Sequence, residues 1–328
     1  MRAVFVVDPL DGLDPAVDTS VGLMHAAQEQ HLEVWVTEAR HLEARDGTAW
    51  AFARPVKLAP SVPEQGCRWT VAEPWYDAGP AEPVPLAEAD AVFLRTEPPV
   101  DVDYLTASQV LDLVDPHGAG ASRTAVVNRP SGLRACSEHL LPLAFPDLAP
   151  PTLVTSRPEA IHGFVADAGR VVVKPADGFS GRGVFLLAQG CPNLASLVET
   201  ATRRGTRTVI AQPYLPEVEQ GSKRIFLLDG APVGATLRHP VTGDFRISSP
   251  DAPAELTGRD HEIIARLVPT LRRHGLRCVG LDVIGSHLIE VNLTSPGALR
   301  KADALLGTSY CRQLVTHILS HPTTWRTP

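Results

Sequence analysis

The sequence predicts an α/β chain, in which an open N-terminal α/β domain precedes an α+β half. Three observations carry this. The chain opens strand, helix, strand. Near residue 130 its rhythm changes to shorter strands and helices around a glycine loop. Near the C-terminus two apolar runs flank Gly285-Ser286-His287 and carry three oxygen-bearing side chains.

Ala3 to Val7 is a continuous apolar run, as in a strand buried on both faces, and Asp8-Pro9 ends it. Val21, Met24, Ala27 and Gln28 recur at helical spacing over Ser20 to Gln30, and Leu32 to Thr37 is a second strand, completing a β-α-β unit. Residues 60 to 90 are rich in Pro, Glu and Ala without periodicity and read as loop. Ala91 to Leu94 is a third strand, 103 to 114 a helix, and Ala125 to Asn128 a fourth strand stopped by Pro130. After the change come a helical segment over 132 to 144, a helix over 157 to 168 and a strand over 170 to 174. The glycine loop, a strand over 184 to 188 and a helix over 194 to 203 follow. Val209 to Gln212, Arg224 to Leu228 and Val233 to Leu237 read as strands, 256 to 274 as a long helix, and 300 to 319 as a closing helix.

The segment from Cys278 to Asn292 reads as a hairpin. A three-residue connection at 285–287 sets Asp282 opposite Glu290. Side chains alternate along a strand, so Glu290 and Asn292 share a face. Asp282, Glu290 and Asn292 then make one oxygen cluster on an apolar ribbon, a donor set suited to nucleotide-bound Mg²⁺, or Mn²⁺ in its place. A two-residue loop would turn Asp282 to the other face. A charged edge hairpin explains the cluster less well, because Asp282 lies among Leu281, Val283 and Ile284, and a buried unpaired carboxylate is costly.

The 328 residues are 44% hydrophobic and 20% charged, enough for two or three domains. A net charge of -7 argues against nucleic acid or an anionic membrane as the main partner. Five scattered cysteines with no metal-ligand spacing suit reduced thiols in a cytoplasmic protein. The N-terminal apolar run is too short for a signal peptide, and no stretch reaches the length of a membrane span. A zinc motif and a Gly-x-Ser-x-Gly elbow are absent from the sequence.

Asp177 to Gly183 lies between two strands, and its glycines (Gly178, Gly181) with Ser180 would let backbone amides approach an anion. It is neither a P-loop nor a dinucleotide fingerprint, and alone it reads as a turn more often than as a site. Lys174 ends the strand before this loop, where a lysine reaches phosphates or snorkels to solvent. Arg224 and Arg238, on the next β segment, supply further contacts or a solvated face. Arg95 follows the third strand, at the end of an open sheet where ligands bind, and is a candidate carboxylate clamp. Asp18 serves as a helix cap at least as well as a substrate contact.

In order, these pieces resemble the ATP-grasp superfamily and, within it, the prokaryotic type of glutathione synthetase. The resemblance rests on Val7-Asp8-Pro9, Arg95-Thr96-Glu97-Pro98-Pro99, Asn128-Arg129-Pro130-Ser131-Gly132-Leu133-Arg134 and Val173-Lys174-Pro175. It continues through Gln212-Pro213-Tyr214-Leu215, Gly221-Ser222-Lys223-Arg224, Gly280-Leu281-Asp282-Val283-Ile284 and Glu290-Val291-Asn292-Leu293-Thr294-Ser295-Pro296. It implies a pre-ATP-grasp substrate domain over 1–122, a lid and nucleotide-binding subdomain over 123–215, and a catalytic subdomain over 216–328. It implies an ATP-dependent carboxylate–amine ligase working through an acylphosphate, with γ-glutamylcysteine and glycine as substrates. A ligase for another amino acid or dipeptide pair, or an ATP-binding homologue without ligation, is the alternative. Carried over, Asp282, Glu290 and Asn292 hold the metal, Lys174 and position 139 hold ATP, and Gln212, Tyr214 and Leu215 line the adenine. Arg224, Arg238 and Arg246 face the reacting groups, and Arg95 and Ser295 bind the peptide. Small molecules are the expected partners and a homo-oligomer the expected assembly.

Three departures stand out against the family pattern. His139 replaces its second ATP-binding lysine, which implies weaker phosphate binding. The glycine loop lacks a Gly-Gly pair. The lid stretch, Gly243 to Pro253, keeps Arg246 but has prolines where the family has an Arg-Gly-Asn core and glycines, which implies a stiffer lid and altered acceptor use.

Overall fold

The computed structural model describes residues 1–64, 66–115, 123–178, 181–247 and 249–322. The N-terminal part builds β1 (Arg2–Val6), α1 (Thr19–Glu29), β2 (Glu33–Thr37), β3 (Leu42–Arg45), β4 (Thr48–Leu58), β5 (Ser61–Pro63) and β6 (Trp69–Val71). Then come β7 (Tyr76–Ala78), β8 (Glu82–Pro85), β9 (Ala91–Leu94), α2 (Val102–Asp112) and β10 (Ala125–Val127). The main sheet runs β10-β9-β1-β2-β4-β3, with β7 and β8 also on β4. The strands β10, β9, β1 and β2 are parallel, as their buried apolar runs suggest. Phe5 and Phe93 stack across them, ring centroids 4.8 Å apart.

The loop reading of 60 to 90 is corrected. Four short strands lie there, two on β4 and two in the separate β5–β6 hairpin. Three- and four-residue strands are too short to show alternation, and their prolines are tolerated because edge positions need no ladder donor. The long β4 was not anticipated at all.

The second half begins with α3 (Pro130–Ala135) and β11 (Leu153–Thr155), followed by α4 (Pro158–Ala168), β12 (Arg170–Pro175), β13 (Phe185–Ala188), α5 (Leu194–Thr202) and β14 (Val209–Pro213). It closes with β15 (Ser222–Leu228), β16 (Ala231–Arg238), β17 (Ala252–Pro253), α6 (Gly258–His274), β18 (Cys278–Ile284), β19 (His287–Asn292), α7 (Leu299–Leu306) and α8 (Tyr310–Ser320). The helix expected over 132–144 is interrupted. Cys136 is extended, and Pro142 heads a short 3₁₀ turn, since a proline inside a helix clashes with the carbonyl four residues back. The closing helix is likewise two helices, divided after Leu306 by Gly307 at φ 64°.

Sheet β11-β14-β12-β13 has its own small core, in which Ile161, Val165, Val173 and Leu187 are fully buried. Sheet β17-β16-β15-β18-β19 does not. Ile225 and Leu281 share one core with Val4 and Leu94, while Phe226 and Tyr310 share another with Phe5 and Phe93. Asn128 fastens the two regions. Its amide nitrogen donates to the Cys278 and Leu293 carbonyls, at 2.7 and 2.8 Å, and its oxygen accepts from the Cys278 amide at 2.8 Å.

His25, on α1, is buried, and its Nε2 has no hydrogen-bond partner. Burial, and then the charge of Arg300, pushes it down to about 4. The unfolded imidazole binds a proton below pH ~6.5 and the native one only near pH 4. Stability contributed by neutral His25 is therefore complete above pH ~6.5 and falls as pH drops, by up to about 3 kcal/mol. Urea unfolding at pH 7 and 4.5 should show this loss, and His25→Gln should flatten it. An unchanged slope in the variant would contradict the assignment.

Candidate active site

The hairpin expectation is met by an unexpected route. Ile284 pairs with His287, so the connection is two residues, Gly285 and Ser286, with Gly285 at φ 57°. That loop alone would set Asp282 off-face. The register then shifts by one, leaving Ile289 unpaired, and Asp282 does face Glu290. A β-bulge of this kind re-aims side chains. The three-residue connection is thus corrected, while the pairing it was meant to produce is present.

A cavity of about 1010 Å³ opens between the three sheets. From the catalytic sheet, Arg224, Arg238, Asp282, Glu290 and Asn292 line it. Lys174, Gln212, Tyr214 and Leu215 line it from the opposing sheet, with Gly178 and Gly181 from the loop. Arg95, Asp18 and Ser295 close the N-terminal side. Ser180 falls outside the described residues.

Arg224 lies directly opposite Asp282 in the ladder. Its Nε donates to Oδ1 at 2.5 Å and its Nη2 to Oδ2 at 2.9 Å, while Arg238 Nη2 meets Oδ1 at 2.7 Å. Burial opposes ionisation of Asp282, but the two guanidinium charges outweigh it and hold the carboxyl well below the usual range. Arg224 also donates to Asn292 Oδ1 at 3.2 Å. Arg238 Nε is buried without a partner among the described residues, and so can donate to a ligand oxygen. Glu290 accepts no hydrogen bond among the described residues, and the His139 ring lies beside it, with Nδ1 at 3.5 Å from Oε1.

On the opposing sheet, Gln212 Nε2 donates to Thr152 Oγ1 at 3.0 Å, and Arg170 stacks on the Tyr214 ring at 4.1 Å. Arg95 is spent on holding the N-terminal side together. Its Nε donates to Ser20 Oγ at 3.3 Å and its Nη2 to the Pro296 carbonyl at 3.1 Å. Asp18 caps α1, accepting from the Val21 amide at 3.0 Å, and still lines the cavity. Arg246 is exposed and paired with Asp244, with Nη2–Oδ2 at 2.6 Å.

Glu138 and Glu97 were not anticipated as site residues. Glu138 Oε1 accepts from the Leu293 and Thr294 amides, at 2.5 and 2.8 Å, and from the Thr294 hydroxyl. Burial, then the charge of Glu290, pushes its carboxyl up. Glu97, pushed up by burial, accepts from Ser295 Oγ at 2.8 Å. The signal available was adjacency: Glu138 neighbours His139, and Glu97 lies two residues past Arg95.

The lid stretch is pinned rather than loose. Cys67 Sγ donates to the Pro250 carbonyl at 2.5 Å, Lys301 Nζ to Ser249 Oγ at 3.0 Å, and β17 pairs with β16. His239 and Asp251 pair at 2.8 Å.

Opposed β-sheets around such a cavity define an ATP-grasp protein. The ATP-grasp domain model of prokaryotic glutathione synthetase matches residues 138–307, and the N-terminal domain model of the same enzyme matches residues 1–134. The chain belongs to the prokaryotic glutathione synthetase family, and it is a carbon–nitrogen ligase of the ATP-grasp class. The glutathione synthetase of Thermosynechococcus vestitus is 43% identical, over 98% of this chain and 100% of its own. That of Nitrosomonas europaea is 38% identical, over 94% of each. Among solved structures, the ATP-grasp ligase PsnB with a precursor peptide and AMPPNP aligns at TM-score 0.60 and 20% identity, over 98% of this chain and 97% of that one. The D-cycloserine synthetase DcsG aligns at 0.58 and 18%, over 95% and 99%. Both show the shared fold. No helix among the described residues is long and apolar enough to cross a membrane.

Arg224→Met should leave Asp282 with one cation and Asn292 without its donor. Breaking a buried pair costs about 3–5 kcal/mol, and Arg238 keeps the loss near the lower end. Denaturant unfolding measures it. A loss below about 1 kcal/mol, as for an exposed pair, would contradict the buried network.

Proposed function

We propose that this chain joins γ-glutamylcysteine to glycine at the expense of ATP, forming glutathione, ADP and phosphate. The observation that carries this reading is the convergence of Lys174, Arg224, Arg238, Glu290 and Asn292 on one cavity, in a chain whose full-length relatives are named glutathione synthetase. The three-part division at residues 122 and 215 fits it. The sheet of β11 to β14 has a separate core and acts as the nucleotide lid, while the other two parts share cores.

The donor carboxylate attacks the γ-phosphorus, ADP leaves, and the acylphosphate forms. The glycine amine then attacks the acyl carbon, and phosphate departs as the amide forms. Such transfer depends on positioning and on neutralising charge. Lys174 contacts ATP phosphates, and the strand from Gln212 to Leu215 lies along the adenine. Arg238, with its free buried Nε, faces the transferred phosphoryl. Arg224 holds Asp282 and Asn292 in place. Arg95 orients the loop bearing Ser295, which with Asp18 contacts the peptide. Arg246, with the lid residues Asp244, Ser249 and Pro250, covers the acylphosphate and excludes water.

A divalent cation fits this donor set. Glu290 and Asn292 present hard oxygens to the cavity, and Glu290 has no hydrogen-bond donor among the described residues. Asp282 lies beside them with its oxygens engaged by arginines. A cation shared with nucleotide phosphates needs only one or two carboxylates from the protein. When bound, Mg²⁺ supplies charge neutralisation for the triphosphate.

ADP release and chromatographic product detection over acid and amine pairs test the substrate assignment. Glutathione should form only with γ-glutamylcysteine and glycine together, and a different productive pair would overturn it. Glu290→Gln should cut turnover by several orders of magnitude while leaving the fold intact, and near-normal turnover would remove the metal role. Lys174→Met should weaken ATP binding about tenfold or more, the loss of a charge-assisted bond of roughly 1.5–3 kcal/mol. Unchanged affinity by calorimetry would return Lys174 to a snorkelling lysine.

A further inference from the structure

His139 sits where the chain leaves helical geometry after α3, and it is 8% exposed. Its Nε2 lies 2.9 Å from the Gly178 carbonyl oxygen. A carbonyl only accepts, so Nε2 carries the proton of that bond. In the neutral ring the lone pair is then on Nδ1. Nδ1 is buried and has no hydrogen-bond partner among the described residues, although Glu290 Oε1 is 3.5 Å away. A buried nitrogen left without a partner requires an explanation.

We propose that His139 Nδ1 is a direct ligand of the divalent cation, beside Glu290; this rests on the metal reading above. Two donors each about 2.0–2.2 Å from one metal lie roughly 3–3.5 Å apart, which matches the observed spacing. A ligating imidazole donates its other N–H to a backbone carbonyl or carboxylate, and Gly178 fills that place. An ion pair between imidazolium and Glu290 accounts for less, because Nδ1 makes no hydrogen bond to that carboxylate. Two consequences follow. An imidazole ligand moves the site away from strict Mg²⁺ selectivity toward divalent ions that accept nitrogen. Because the same ring holds Gly178, the cation also helps to place the glycine loop.

The test uses the full chain labelled with ¹⁵N only in histidine, loaded with Mn²⁺ and unlabelled AMPPNP, and read by pulsed EPR. The wild type should show ¹⁵N coupling of a directly bound imidazole. His139→Gln, which keeps a donor for Gly178, should lose that coupling. It should also bind Mn²⁺ at least about tenfold more weakly, the low end for losing even an outer-sphere partner. If Mn²⁺ binds and Glu290→Gln releases it, but the wild type shows no ¹⁵N coupling, His139 is not a ligand and the metal reading stands. If Mn²⁺ binding is indifferent to Glu290→Gln, both fall. If His139→Gln does not fold, the wild-type spectrum alone decides.

Discussion

Asp282 is a carboxylate buried within a sheet, and it stays ionised because Arg224 faces it from the neighbouring strand β15 and Arg238 reaches it from β16, one strand further on. Everything on that face of the sheet follows from the pairing. It sets two guanidinium groups on the cavity wall, and it uses Arg224 to orient Asn292. It also leaves Glu290 as the carboxylate with open oxygens. A buried pair of this kind adds little net stability, but losing one partner is costly. Under the proposed function its value lies in preorganisation, because donors already aimed at developing charge need not rearrange during a reaction.

The hairpin shows how the chain reaches this arrangement. A tight two-residue loop suits strand twist but gives the wrong parity for an Asp–Glu pair. The bulge at Ile289 adds the one residue that restores parity, and both Ile289 and Glu290 reach the cavity wall. The break after α3 does similar work elsewhere. With Cys136 extended, Glu138 turns toward Leu293 and Thr294, and His139 reaches Gly178.

Much of this was legible in the residues. The buried runs at 3–7 and 91–94 announced the parallel sheet, and the pattern from 278 to 292 announced that Asp282, Glu290 and Asn292 share a face. What the sequence hid has physical reasons. The β5 to β8 strands are too short for a period to show. A bulge has no signature in residue types, so the loop length could not be read correctly. Glu138 acts through backbone amides about 155 residues away, which no local pattern reveals. The prolines of the 243–253 stretch did read as stiffness, but the pins from Cys67 and Lys301 come from distant segments.

The most direct test of the central claim is a crystal structure of the chain with Mg²⁺ and AMPPNP. The account predicts a cation about 2.0–2.1 Å from oxygens of Glu290 and Asn292, bridging to phosphate, with Asp282 still held by Arg224 and Ile289 still bulged. A cation bound elsewhere, or a regular β18–β19 ladder with Glu290 turned out of the cavity, would contradict it.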